Sequence, residues 1–205
     1  EMRERDWSSD VCSSDLFTQM HDSVLERVTL RRSLGAKYLT TPAPTKEDYD
    51  EALTWAIAAP DHCRLSPARF VVIEERQKFA DFFEAGALAE GADQEGAERA
   101  RSKALKAPAM VAVVAKIDEH NARVPAYEQW MTVGAATSNF LAALELKGYA
   151  GKIVSGSSTR YRDAVDALCK KDEVIACWIM LGTAKPNAPG AEVRPVYDEL
   201  LTYFS

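Results

Sequence analysis

No apolar run in this sequence approaches the roughly 20 uncharged residues that a membrane-spanning helix needs. Basic charge is also short, with 25 Lys and Arg against 31 Asp and Glu and a net charge of −6. A chain of that sign gains no general attraction for phosphate backbones or anionic lipid surfaces. Neither nucleic acid nor membrane is an expected partner. Cysteine is scarce: Cys12, Cys63, Cys169 and Cys177, with no C-x-x-C spacing among them. Zinc sites, redox dithiols and disulfide scaffolds therefore have no support, and the expectation is buried free thiols in a cytoplasmic protein. Also absent are G-x-G-x-x-G, a P-loop, G-x-S-x-G and H-E-x-x-H, which removes the common nucleotide-fold, hydrolase and zinc-protease templates.

What is present fits one globular domain. The 205 residues are 47% hydrophobic and 27% charged, enough to bury a substantial core. Residues 1–16 stand apart. Ser8-Ser9-Asp10 and Ser13-Ser14-Asp15 repeat at a period of five, which suits neither helix nor strand. The stretch has the look of translated sequencing-adaptor sequence, or else of a disordered tail. It is expected to contribute nothing to the core, leaving 17–205 as the folded domain.

From Phe17 the pattern is mixed α and β. Asp22 is placed to cap a helix through Val24, Leu25, Val28 and Leu30. Thr45 with Asp48 reads as a capping box, ahead of a stripe formed by Ala52, Leu53, Ala56 and Ile57 and a stop at Pro60. The β-branched run 69–74 predicts a strand. Residues 76–105 predict two helices with a turn near Gly91 and breaks at Gly86 and Gly96. The run AMVAVVA over 109–115 predicts a central strand buried on both faces. The longest predicted helix, 126–147, is apolar on nearly all sides, which marks burial in a core or an interface. A short strand 152–154, a helix 160–169 and a buried strand 174–181 follow. The tail from Lys185 carries Pro186, Pro189 and Pro195, then ends on Leu200, Leu201, Tyr203 and Phe204, which need a surface to cover them.

Three clusters carry chemistry. Arg31-Arg32-Ser33 follows the first helix and has the fork and hydroxyl donors that bind a phosphate. An Arg pair at a helix end also complements the macrodipole, so the cluster alone leaves both readings open. Ala59-Pro60-Asp61-His62 sits at a helix exit, where His62 either faces a cleft or simply occupies a turn. Ser155-Gly156-Ser157-Ser158 follows a strand, and its small residues let backbone approach a ligand closely, as an ordinary loop would also allow.

The order of these clusters is informative. "RRS" after the first helix, "APDH…P.RFVVIE" after the second and "GY.GKIVSG" after the long helix resemble the FMN-dependent nitroreductase family. The similarity is greatest to its short bacterial NAD(P)H nitroreductase branch. "APAMVAVVAK", "VPAYEQWM" and "MLGT" extend the resemblance over about residues 22–205.

The resemblance implies an α+β fold, with a central mainly antiparallel sheet flanked by helices. It implies an intertwined homodimer with exchanged C-terminal segments and FMN at the subunit interface. Carried over by position, Arg31, Arg32 and Ser33 would bind the FMN phosphate and ribityl region. His62 and Arg64 would approach the same flavin from the other subunit. Val154, Ser155 and Gly156 would face the isoalloxazine through backbone. The implied activity is a two-step cycle in which NADH or NADPH reduces FMN and a nitroaromatic, quinone or related small molecule accepts the electrons. No side-chain nucleophile or general base is required. The alternatives are a flavin-binding protein with little turnover, or a related flavin chemistry such as dehalogenation.

Departures from the family pattern motivate the first alternative. Relatives often have Pro-Trp where this chain has Pro67-Ala68. Some carry an Arg where it has Ala58, and an Arg or Lys where it has Val154. Arg64, Lys152 and Arg160 are the candidates to supply the missing charge.

Overall fold

The computed structural model describes residues 24–190 and 200–204. The 1–16 segment, the Asp22 cap and Pro195 lie outside the described residues. The chain divides into two compact units, Glu1–Arg31 with Ala191–Ser205, and Arg32–Gly190. In the first, residues 24–29 are helical, as the apolar spacing predicts, and Leu200, Leu201, Tyr203 and Phe204 are exposed.

The second unit is built on a five-stranded sheet. Strand β3 (Ala109–Ala115) pairs antiparallel with β2 (Ala68–Val72) on one side and β5 (Val174–Ala184) on the other. The far edge of β5 carries β4 (Ala150–Val154) and, beyond it, the two-residue β1 (Leu39–Thr40), both antiparallel. Every residue of β3 is buried, as its unbroken apolar run predicts. Alternation splits it between two cores: Met110, Ala112 and Val114 face one, and Val111, Val113 and Ala115 the other.

In β5 this alternation is interrupted. Val114 pairs with Ile175 but Val113 with Cys177, so Ala176 is an extra residue, and the sheet has a bulge there. Ile175 and Trp178 consequently face the same core, three positions apart.

Helices α1 (Lys46–Ala56) and α4 (Ala126–Leu146) cover one face. Helices α2 (Arg76–Ala89), α3 (Gln94–Leu105) and α5 (Arg162–Leu168) cover the other. The capping box at α1 is present: Thr45 accepts from Asp48 N, and Thr45 N donates to Asp48 Oδ2 at 2.9 Å. Asp48 also accepts from Tyr149 Oη at 2.6 Å, which holds its carboxyl well below the usual range and ties α1 to the end of α4.

Several expectations are corrected. Gly86 and Gly96 lie inside α2 and α3, and only Gly91, at φ +90°, makes the turn. At Gly86 the Tyr161 ring occupies the space where a Cβ would stand. Helix α4 is not buried on all sides within its own chain, since Tyr127, Trp130 and Met131 are exposed, so the core alone does not cover it and the interface alternative stays open. Leu53 and Ile57 are exposed too, and α1 buries only its alanines, Ala52 and Ala56. Cys63 is exposed rather than buried, while Cys177 is buried and its thiol pushed up to about 11 by that burial. No helix among the described residues is long and apolar enough to cross a membrane.

Candidate functional site

A cavity of 730 Å³ in the second unit lies on the α2–α3 side of the sheet. That volume falls within the roughly 300–1,000 Å³ of small-molecule and cofactor sites. Its floor is a patch of β4 and β5. Residues two apart on a strand share a face, so Lys152 and Val154 point the same way. Their cross-strand partners are Met180 and Trp178, and all four line the cavity. Phe83 and Ala87 of α2 form an apolar wall. Arg99 and Lys103 of α3, with Lys106 just beyond it, form a basic edge.

The loop after β4 closes one end. Gly156 has φ +110°, a conformation that side chains rarely adopt, and open space lies where its Cβ would be. The loop is pinned from below. Trp178 Nε1 donates to Ser158 Oγ at 3.0 Å, and Ser157 Oγ lies 3.4 Å from Tyr161 Oη. A buried indole N–H needs such a partner. The apolar floor thereby holds a polar loop in one conformation, with Ser155 and Ser157 on the cavity wall.

The segment after the first helix reaches the same strand. Ser33 forms a parallel bridge with Gly151, and Leu34 N donates to Gly151 O at 3.1 Å. Gly35 and Ala36, two and three residues further, line the cavity. Two of the three predicted clusters, Arg32-Ser33 and Val154-Ser155-Gly156, thus converge on β4. Arg31 belongs to the other unit.

His62 and Arg64 are not among the cavity residues. They sit in a 3-10 turn, His62–Arg64, after α1. His62 Nδ1 donates to Glu128 Oε2 of α4 at 2.8 Å. Thr132 Oγ1 donates to Pro60 O at 2.8 Å, fastening the same loop to α4. Asp61 accepts from Leu65 N and Ser66 N. Cys63, Arg64 and Ser66 all have positive φ, an unusual concentration outside glycine. Trp55 of α1, Ile57 just after it and Met131 of α4 are exposed apolar side chains.

Of the three candidates to supply the missing charge, Lys152 lines the cavity, Arg160 borders a smaller neighbouring pocket and Arg64 is on the exposed turn. Sequence reading did not find Lys103, Lys106, Tyr161, Trp178 or Met180. Only the alternation along β4 and β5 could have pointed to the last two.

The donor set suits a phosphorylated flavin. Arg32 Nε is shielded from solvent without a hydrogen-bond partner. An unmet buried donor costs about 1–3 kcal/mol, and an anionic oxygen would relieve it. The apolar floor and wall suit an aromatic ring system, and the open space above Gly156 lets that ring approach backbone. No cluster among the described residues has the make-up of a metal site.

Comparison with known proteins gives a consistent result. A nitroreductase family model matches residues 28–183. The chain is 35% identical over 183 residues to the "Putative NAD(P)H nitroreductase YdjA" of Escherichia coli (strain K12), covering 88% of this chain and 98% of that protein. The nitroreductase-like family protein of Bacillus cereus has the same fold, with a TM-score of 0.72 at 19% identity over 98% of this chain and 99% of its own. The nitroreductase with bound FMN from Bacteroides fragilis NCTC 9343 matches with a TM-score of 0.68 at 19% identity, over 89% of this chain and 98% of its own.

Proposed function

The chain belongs to the nitroreductase family, and from that premise we propose that it is an FMN-dependent oxidoreductase. It takes a hydride from NADH or NADPH and passes electrons to a nitroaromatic, a quinone or a related small acceptor. The observation that carries this reading is the convergence of Arg32-Ser33 and the Val154–Gly156 loop on β4, beside a cavity of cofactor size. Bound FMN would supply the hydride and electron chemistry.

The chain's own residues bind and orient. Arg31, Arg32 and Ser33 take the phosphate and ribityl region, where the unpaired Arg32 Nε is the available donor. The backbone of Val154, Ser155 and Gly156 presents N–H donors to the ring, and Trp178 and Tyr161 fix that loop from below. Phe83, Ala87 and Met180 keep water from the ring's surroundings.

The active form is a homodimer. Trp55, Ile57, Trp130 and Met131 are exposed apolar side chains on or next to the packed helices α1 and α4, and a second copy would cover them. His62, held to Glu128 of α4, and Arg64 do not line the cavity of their own chain, so each would serve the partner's flavin. The exposed Leu200, Leu201, Tyr203 and Phe204 fit a C-terminal segment laid on the partner.

The test is direct. Purified protein should show flavin absorption bands and release FMN on denaturation. It should also oxidise NADPH or NADH when a quinone or nitroaromatic is present. A colourless protein that takes up no added FMN would reject the assignment. Tight FMN binding without turnover would favour a flavin-binding protein, the reading that Ala68 and Val154 motivate.

A further inference from the structure

The cavity's charge is opposite to the chain's. The protein carries a net charge of −6, yet Arg99, Lys103, Lys106 and Lys152 line the cavity against one acid, Glu90. The other cations of the α2–α3 hairpin have partners: Arg76 donates to the carbonyls of Ala104 and Ala107, and the rest form ion pairs. Lys78 pairs with Glu75 at 3.6 Å, Arg101 with Asp81 at 2.8 Å, and Arg99 with Glu95. Among the described residues Lys103, Lys106 and Lys152 form no ion pair with any carboxylate. Lysines at the end of α3 also complement its macrodipole. That account covers Lys103 and Lys106 but not Lys152. Lys152 is on a strand in a different part of the chain, and strand alternation turns it into the same cavity as Val154. Three unpaired ammonium groups from two elements share one concave surface whose floor is apolar. Low-dielectric walls focus such a field and raise the local concentration of anions.

We propose that Lys103, Lys106 and Lys152 form an anion-reading rim, so that the small molecule entering this cavity beside the flavin carries a negatively charged substituent. This rests on the flavin-site reading above and narrows it to a substrate class. Two sources supply that chemistry: a carboxylate on an aromatic acceptor, or the phosphate that distinguishes NADPH from NADH. In either case the apolar part lies against Trp178 and Met180 and the charge meets the lysines.

Paired neutral and charged probes test this on the protein as purified, with the flavin it carries. Benzoate against benzamide reports an acceptor carboxylate. Adenosine 2′-phosphate against adenosine reports the donor phosphate. Dissociation constants come from titration calorimetry, so no turnover is needed. The charged member of at least one pair should bind roughly 10-fold more tightly, with a preference that falls as salt rises. That preference should collapse in Lys103→Gln/Lys106→Gln and in Lys152→Gln. The same variants should shift the KM ratio for carboxylated over neutral nitroarenes, or for NADPH over NADH, in step with the pair that responds. Equal binding within both pairs would overturn the proposal, as would a preference that survives the substitutions. If the variants instead weaken FMN but not riboflavin, the lysines hold the cofactor's own phosphate and the rim is not a substrate reader. Absence of flavin bands would reject the functional reading separately, leaving the probe titrations to judge the rim alone.

Discussion

Ser33 is bridged in parallel to Gly151, which anchors the segment after the first helix to the edge of β4. The pairing uses backbone only, so it fixes where Arg32 begins without committing the Arg32 or Ser33 side chains. Three residues along β4, Val154 leads into the Gly156 loop. The Arg32-Ser33 segment and the Gly156 loop are thereby held at a set separation on one strand.

Replacing Gly86 with alanine should destabilise the protein, although alanine normally gains up to about 1 kcal/mol over glycine inside a helix. The new Cβ would stand 2.2 Å from Tyr161 Cγ, so the ring must move. Overpacking of this kind costs about 1–3 kcal/mol, which outweighs the propensity gain. For a chain of this size the net loss corresponds to a melting temperature lower by roughly 2–8 °C. Thermal unfolding checks it, and a higher melting temperature would show that Tyr161 has room to relocate.

A second expectation concerns acid. Arg69 donates to Glu173 at 2.9 Å, and this contact holds the Glu173 carboxyl at about 2, against an ordinary value of 4.5. A carboxyl depressed on folding stabilises fully above its unfolded value and less as pH falls through the folded one. The contribution is therefore complete above about pH 5 and lost progressively toward pH 2. Glu173→Gln should flatten the decline of stability over that window. Denaturant melts at a series of pH values would measure it, and parallel curves for the two proteins would refute the link.

How much of this was legible in the residues differs by element. The β3 run and the Thr45–Asp48 box are local signals, and both structures form where the sequence places them. The buried and exposed faces of α4 could not be separated by composition, because Val133 and Phe140 inside look like Trp130 and Met131 outside. β1 is two residues long and exists only through its pairing with β5, so no periodicity announces it. The cavity is the clearest case. Val154 and Ser155 stand out by motif, but Lys103 and Lys106 share the cavity with them only because the α2–α3 hairpin folds back across the sheet. The expected breaks at Gly86 and Gly96 failed because glycine serves close packing as well as turning.

Assembly gives a third expectation. Ile57 is 75% exposed and Met131 69% exposed, so neither supports the fold of its own chain. Ile57→Asp/Met131→Asp should leave the circular dichroism spectrum intact while lowering the mass in sedimentation toward one chain. Flavin content should fall with it if His62 and Arg64 serve the partner's site. A dimer that persists unchanged would place the interface elsewhere.

The last expectation returns to Arg32. Its Nε is shielded from solvent and has no hydrogen-bond partner, so the desolvation of that donor is already made before any anion arrives. Arg32→Ala removes a charge-assisted contact of roughly 1.5–3 kcal/mol, and FMN should bind roughly 10- to 150-fold more weakly. Riboflavin lacks the phosphate and should lose little, which separates recognition from general loosening of the fold. Arg32→Lys should recover part of the affinity, since it keeps the charge but not the planar fork. Arg31→Ala, measured beside it, reports whether both arginines of the pair take part. Fluorescence titration of flavin-free protein distinguishes these outcomes. If FMN and riboflavin weaken equally, Arg32 is a structural residue and the phosphate is held by other groups.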